Sequence, residues 1–212
     1  MCCIYLDYNG DTNLARVRRN VKLIDKNTVL ETDSLDYDRN ANLGYFFDYG
    51  ILSDEESVLS SFYGEYNISS KTALFTDDVS LENPQFRMLS DTLYYNTGNK
   101  IATIVGPTNI YTRDSEVYSE RGRYNTSSRH AFLLDRSVLY NDMKNVVADS
   151  IFYDSAQGYS EAFGNIVYND TVTITGYNAS LGCHILSNGL LMNKEYIKAN
   201  APKITPIKAK ID

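Results

Sequence analysis

A tyrosine recurs along this chain every 29 residues. The repeated positions are Tyr8, Tyr37, Tyr66, Tyr95, Tyr124 and Tyr153, and a seventh copy falls on Leu181 after a step of 28. Each is followed by Asn, Asp or Gly, namely Asn9, Asp38, Asn67, Asn96, Asn125, Asp154 and Gly182. A period of roughly 20–50 residues is typical of repeat arrays, in which neighbouring copies bury one another's apolar faces. The chain is therefore predicted to fold as an array of about seven repeats.

Four further positions keep one chemical character in every copy. The residues nine and fifteen after the tyrosine, and seven before it, are apolar, whereas the residue seven after it is small. In one copy these are Phe75, Leu81, Met88 and Ala73. We interpret the apolar positions as inward-facing rows, with one side chain per repeat, and the small position as a place where backbones approach closely.

The local pattern predicts strands. Short runs rich in Val, Ile, Tyr and Phe, such as 100–105, are bounded by Asn, Asp and Gly. The chain holds 18 Tyr and 8 Phe but no Trp, a usage that favours paired strands. The sequence thus predicts an all-β, antiparallel fold.

Two features of the rows constrain the strand geometry. The apolar position at −7 and the tyrosine are an odd number of residues apart, so a regular strand would point them to opposite faces. A small residue such as Ser61 or Ser90 lies between them, at −5. A bulge there would return both to one face, and we prefer this to a strand buried on both faces. At −2, Leu93 alternates with Gly64 and Gly122, which indicates either an interlocking core or a row lining a cavity of varying width.

The sequence shows little sign of a catalytic or metal-binding site. His130 and His184 occupy no repeated position, and Cys183 beside His184 is not a chelating spacing. An acidic residue recurs at −4, but a catalytic pair is needed only once, so we interpret this row as solvated or turn-capping. The net charge of −7 argues against a nucleic-acid surface. We expect no enzyme, no catalytic residue, no metal and no cofactor.

The predicted repeat domain covers residues 4–182. The remaining segment, 183–212, is predicted to form a short helix or cap, the helix within Ser187–Lys198, followed by an extended basic tail. The chain has no run of about 18 apolar residues, and no export signal is visible at its start.

The segments 33–38, 90–96 and 148–154 share one motif, built around the repeated tyrosine or its equivalent. This motif resembles the A-D-x-L-x-Y-D repeat of the OstA/LptA superfamily, above all of its OstA-like periplasmic proteins of the Bacteroidetes. Residues 164–166 and 174–176 resemble its G-N-V and L-T-G elements. Together these motifs extend the resemblance over residues 4–182.

The resemblance implies a β-jellyroll or "taco", with two facing sheets and an apolar interior that holds lipid A acyl chains. It implies a non-enzymatic periplasmic protein with two kinds of partner: lipopolysaccharide, and other jellyroll proteins paired through edge strands, a second copy of this chain included. The interior rows would then contact lipid through Leu35, Tyr37, Phe46, Phe75, Leu93, Tyr95, Ile104, Tyr124, Leu133, Ile151 and Tyr153. The alternatives are a structural spacer and a carbohydrate-binding β-helix, whose tyrosines would point outward.

Overall fold

The computed structural model describes residues 5–141, 144–170, 176–179, 183–186, 189–191 and 205–207. These residues form strands and turns, with no helix among them. The strands are β1 (Tyr5–Asn9), β2 (Leu14–Asp25), β3 (Thr28–Asp38), β4 (Leu43–Phe46), β5 (Gly50–Ser53), β6 (Val58–Ser61), β7 (Tyr63–Asn67), β8 (Thr72–Asn83), β9 (Phe86–Asn96), β10 (Ile101–Thr112), β11 (Glu116–Asn125), β12 (His130–Asn141), β13 (Lys144–Asp154), β14 (Tyr159–Phe163), β15 (Ile166–Asp170), β16 (Gly176–Ala179), β17 (Cys183–Leu186), β18 (Gly189–Leu191) and β19 (Thr205–Ile207). The chain divides into two compact units, Met1–Thr108 and Asn109–Asp212.

Strand pairing in both units is antiparallel and follows the chain. In the first unit, β1 pairs with β2, β2 with β3, and β8 with β9. The short strands β4 and β5 together take the place of one long strand, since both pair with β3. The second unit repeats this scheme, because β12 pairs with β11 and β13, and β13 pairs with β14 and β15. These pairings confirm the predicted all-β, antiparallel β-jellyroll.

The residue after each repeated tyrosine begins a hairpin turn. The side chain of Asn96, for example, accepts hydrogen bonds from the backbone N–H groups of Gly98 and Asn99 at 2.9 and 3.0 Å. Asn125 makes the same two bonds to Ser127 and Ser128. Such local bonds explain why Asn and Asp are favoured at this position. Five residues after the tyrosine the backbone is left-handed (positive φ) in every described copy, at Asn13, Asn42, Lys71, Lys100, Arg129 and Gly158.

A second set of left-handed residues bends the long strands in their middle. In β8, Asp77 and Asp78 have φ values of 64° and 58°, and the pairing with β9 shifts register between Thr76 and Val79. The same shift occurs in β2 at Arg19 and Asn20 and in β12 at Asp135 and Arg136. Extra residues of this kind form β-bulges, which sharply bend a strand. We call this bend the corner.

The corner gives the small residues at −5 a role. Ser61, Ser90 and Ser119 are buried, and each hydroxyl donates a hydrogen bond to the carbonyl two residues later, at 2.6–3.0 Å. In β9 the burial pattern changes phase just after Ser90, so that Met88 and Tyr95 face the same side. The structure therefore confirms a bulge at this level of the sheet, with the extra residue on the neighbouring strand β8, and contradicts the alternative of a strand buried on both faces.

The corner divides each long strand of the first unit into two halves, and the predicted facing sheets are these two halves of one folded sheet. Side chains at 0 and −2 line one half, and those at −5 and −7 line the other. Hairpin turns end both halves, away from the corner. We call the turns at 9–13, 38–42, 67–71 and 96–100 the first rim, and those at 25–28, 54–57 and 83–86 the second rim.

The segment after residue 182 is described only in part. Gly189–Leu191 forms strand β18, which pairs with β17, inside the stretch Ser187–Lys198 where a helix was predicted. In the predicted basic tail, Thr205–Ile207 forms β19 and pairs with β16. The other residues of both stretches lie outside the described part of the chain. The division at residue 182 therefore stays a prediction.

Candidate functional site

The predicted interior rows lie inside the two units. The buried members, each at most 6 % exposed, are Leu35, Phe46, Phe75, Leu93, Tyr95, Ile104, Tyr124, Leu133, Ile151 and Tyr153. Tyr37 is only half-buried. At the start of the first unit the row is exposed, because Leu6 and Tyr8 on β1 keep 61 % and 48 % of their surface. Burial of the apolar rows thus increases from β1, where they are exposed, to the later strands of the first unit, where Phe75, Leu93 and Ile104 are fully buried.

An aromatic pair fills the interior of the first unit. The rings of Phe46 and Phe75 lie 5.7 Å apart at an angle of 55°. A Cβ atom placed on Gly64 would lie 2.4 Å from the Phe46 ring, and one on Gly50 would lie 2.5 Å from it. The glycine at −2 therefore leaves space for a phenylalanine from the neighbouring strand. This contact supports the interlocking core over a cavity of varying width.

Gly122 in the second unit is also closely packed against the neighbouring strand, in this case against backbone atoms. A Cβ atom at this position would lie 2.6 Å from the carbonyl oxygen of Phe132 and 3.1 Å from the Cα of Leu133. Backbone cannot move aside as readily as a flexible side chain, so only glycine fits here. Glycine at −2 is thus a packing requirement in both units.

Hydroxyl pairs line the inner side of the corner. In the first unit, the side-chain oxygens of Ser90 and Thr108 lie 2.7 Å apart. In the second unit, Ser137 donates to Ser119 at 3.0 Å. All four side chains are buried. Because buried hydroxyls are stabilised only when hydrogen-bonded, these pairs hold neighbouring bends together.

The repeated tyrosines connect the two rims of the first unit. Tyr95 donates its hydroxyl to Oδ2 of Asp54 at 3.0 Å, and Lys100 Nζ lies 2.8 Å from the same oxygen. Tyr66 reaches Oδ2 of Asp25 and the hydroxyl of Thr97, both at 3.4 Å. In each case a first-rim tyrosine contacts a second-rim turn 41 residues earlier.

Asp54 is a preorganised acceptor. Its Oδ1 accepts hydrogen bonds from the backbone N–H groups of Glu56 and Ser57, at 3.0 and 2.9 Å. Burial pushes the pKa of Asp54 upward, but the hydrogen bonds from Lys100, Glu56 and Ser57, together with the charge of Lys100, outweigh it and lower the pKa below 3.8. Asp54 is therefore an ionised carboxylate at neutral pH.

Burial also acts on the tyrosines themselves. It raises the pKa of Tyr66, to which the nearby charge of Asp25 adds, and it raises that of Tyr124 in the second unit. A raised pKa keeps the phenol protonated, so the hydroxyl stays a hydrogen-bond donor at neutral pH. Tyr153 makes the corresponding contact in the second unit, with its hydroxyl oxygen 3.4 Å from that of Thr112.

Sequence reasoning missed these rim contacts, although a signal for them is present. Twelve residues before each repeated tyrosine the chain carries a polar residue: Asp25, Asp54, Asn83, Thr112 and Asn141. The partner tyrosine belongs to the following repeat, so a comparison of positions within one repeat does not reveal the pair.

The acidic residues that were considered for catalysis lie on the surface of the fold. The acidic row at −4 is exposed at Asp33, Asp91, Glu120 and Asp149, beside the corners. Asp33 accepts a hydrogen bond from the backbone N–H of Asn20 at 3.0 Å. Within the described residues, no cluster of three or more His, Cys, Asp and Glu side chains is arranged to hold a metal ion. That part of the chain also offers no apolar helix of membrane-spanning length.

A comparison with known protein families gives a match in the first part of the chain. Residues 1–91 match the family model described as OstA-like protein. This segment is similar to the OstA-like family. The matched segment contains β1 to β8 and includes Tyr66 and Phe75 of the interior rows. The match agrees with the resemblance to the OstA/LptA superfamily over residues 1–91.

One similar solved structure is LptH from Pseudomonas aeruginosa, described as the LptA homologous periplasmic component of the conserved lipopolysaccharide transport device. It shares 16 % sequence identity with this chain, with a TM-score of 0.43. The match covers 46 % of this chain and 75 % of LptH. No curated protein sequence matches the chain.

Proposed function

We propose that this protein is a non-enzymatic lipopolysaccharide-transport protein of the periplasm that holds lipid A acyl chains in its interior. One observation carries the proposal: OstA-like sequence forms a folded sheet whose two halves enclose rows of apolar side chains. Each methylene group that moves from water into such an interior contributes about 0.8 kcal/mol. An acyl chain lying along the rows therefore gains affinity from its length.

The dense packing of the interior means that an acyl chain cannot enter without a structural change. Since Phe75, Leu93 and Ile104 are fully buried, an acyl chain must displace side chains or separate the two halves of the sheet. Dense packing of this kind also supports a second candidate function, a structural spacer whose interior stays closed. Inward-facing Tyr66, Tyr95, Tyr124 and Tyr153, by contrast, exclude a carbohydrate platform built from these tyrosines.

Photocrosslinking from two adjacent tyrosines tests the proposal. Tyr95 is 1 % exposed in the interior, whereas Tyr94 is 42 % exposed on the outer face. We expect p-azidophenylalanine, which resembles tyrosine in shape, to label bound lipopolysaccharide from position 95 and not from position 94. A deacylated lipid A saccharide serves as the ligand control and should give no label at either position. Equal labelling from both positions, or none from position 95, would contradict transport and favour the spacer.

The exposed first strand supports the proposal for partners. On β1, Tyr5, Leu6 and Tyr8 are exposed, although the equivalents of the last two, Leu93 and Tyr95, are buried. Among the described pairings, β1 pairs only with β2. A strand with an available edge and an apolar inner face is suited to pair with a strand of another jellyroll. We include other jellyroll proteins, or a second copy of this chain, as partners.

Leu6→Lys tests this partner surface, because it places a charge in the apolar row of β1. We expect self-association, measured by sedimentation over a range of concentrations, to weaken about tenfold or more. Asp7→Asn changes the net charge by the same amount at the neighbouring position, and it should leave association unchanged. Equal effects of both variants, or a wild-type chain that stays monomeric and binds no related jellyroll, would refute the proposed edge pairing.

A further inference from the structure

Side-chain contacts between the two rims close the folded sheet on the side opposite the corner. Tyr66 and Tyr95 directly precede turns of the first rim, and their partners Asp25 and Asp54 belong to the second rim. The corner is continuous backbone with hydrogen-bonded bulges, so separating the halves there would break the sheet itself. Separation at the rims breaks only side-chain contacts. The rim side is therefore the side on which the two halves can part.

A polar cavity beside these contacts makes such an opening feasible. Its volume is about 230 Å³, and it is lined by residues of both rims, among them Asp25, Lys26, Asp54, Lys71, Thr97 and Lys100. When the rims part, water from such a cavity can hydrogen-bond the polar groups that separate. The polar part of the cost of opening is thereby limited to the difference between protein and water hydrogen bonds. Apolar side chains that become exposed add to this cost until a ligand chain covers them.

Asp54 is held independently of the tyrosine that it binds. Its Oδ1 caps the second-rim turn through Glu56 and Ser57, while its Oδ2 faces Tyr95 and Lys100. If Tyr95 withdraws, Asp54 keeps its place and can accept the hydroxyl again. A fixed acceptor that faces a donor on the opposite rim is suited to reversible opening.

We propose that the Tyr66 and Tyr95 contacts form a latch that closes the apolar interior of the first unit and opens between the rims to admit a ligand chain. The identity of the ligand as an acyl chain depends on the proposed function, whereas the latch is inferred from the rim geometry alone. Its opening is a local motion in which the corner and the strand pairing persist.

Tyr66→Phe, Tyr95→Phe and the double variant test the latch, because each removes a hydroxyl and retains the buried ring. We expect amide hydrogen exchange at residues 25–28, 54–57 and 96–100 to become about three- to tenfold faster in each variant, and faster still in the double variant. Exchange at the corner residues 77–78 should not change. Tyr94→Phe is the matched control, since it removes a hydroxyl from the adjacent, outward-facing residue.

A second measurement separates the latch from the proposed function. The association rate of a pyrene-labelled fatty acid should rise by a similar factor in the Tyr95→Phe variant and not in Tyr94→Phe. Faster exchange at the rims with no uptake of the fatty acid by any variant would support the latch and count against lipid transport. Exchange that is unchanged at the rims, or that rises equally at the corner, would overturn the latch whether or not lipid binds.

Discussion

Replacing Phe46 by alanine is expected to destabilise the protein by about 3–5 kcal/mol, the usual cost of removing a fully buried phenylalanine. Its ring contacts Phe75 and fills the space above Gly50 and Gly64. Phe47→Ala is the control, because the next residue is 47 % exposed and should cost less than about 1 kcal/mol. Urea denaturation followed by tyrosine fluorescence measures both losses.

The contact of the Phe46 ring with Gly64 predicts that substitutions at these two positions partly compensate for each other in stability. Gly64→Leu introduces the side chain that other repeats carry at −2, but it collides with Phe46 and should cost about 1–3 kcal/mol. In the double variant Phe46→Ala with Gly64→Leu, the new side chain occupies space vacated by the ring. The combined loss should therefore fall below the sum of the single losses by at least about 0.5 kcal/mol. Strictly additive losses would show that the two positions do not interlock.

Asp54→Ala is expected to lower the free energy of unfolding by about 3 kcal/mol at pH 7. The change removes the acceptor of the bonds from Tyr95, Lys100, Glu56 and Ser57 and leaves the Lys100 ammonium without this carboxylate. Breaking a buried ion pair costs about 3–5 kcal/mol, and the low end applies because the Lys100 side chain is 23 % exposed.

The loss in Asp54→Ala should depend on pH in a defined direction. The folded-state pKa of Asp54 lies below 3.8, so the carboxylate stabilises the fold above that pH and loses this contribution as pH falls through the folded-state pKa. The stability difference between wild type and variant should be constant near neutral pH and shrink below about pH 3.8. The other charged groups around the cavity are Asp25, Lys26, Glu55 and Lys71. Their effects are present in both proteins and cancel in the difference.

The exposed neighbour Glu56 provides the control for this experiment. Glu56→Ala removes a carboxylate from the same turn, while the backbone N–H that binds Asp54 remains. It should change stability by less than about 0.5 kcal/mol. A loss in Asp54→Ala that is as large at pH 3 as at pH 7 would show that the ionised carboxylate is not the stabilising species.

The fold was predictable because the repeat imposes the same chemistry on every copy. Apolar positions such as Phe75 and Met88 and the turn residue Asn96 recur at fixed spacing, so their shared roles could be inferred without a structure. The bulge followed from the odd separation of Met88 and Tyr95. All three inferences depend on comparing one position across several repeats.

The features that the sequence did not reveal have variable chemistry or span two repeats. The left-handed corner residues are Asn or Asp in some copies, such as Asn20 and Asp78, and Arg in others, such as Arg19 and Arg136. Backbone conformation is conserved there while residue identity is not. The contact between Tyr95 and Asp54 joins different positions of successive repeats. Tyr8 has the same residue type as the buried Tyr95 but lies on β1, which has one partner strand among the described pairings, so its exposure does not follow from its identity.

The order of strand pairing has a consequence for folding. Within each unit, the long strands pair with the strands that precede and follow them in the chain, as β8 does with β7 and β9. Because paired strands are consecutive in the chain, the contact order is low and each loop closure costs little conformational entropy. Folding can begin at any hairpin and spread to adjacent repeats. A mutation in one repeat is therefore expected to produce local unfolding that extends to its neighbours, with cooperativity that declines along the chain.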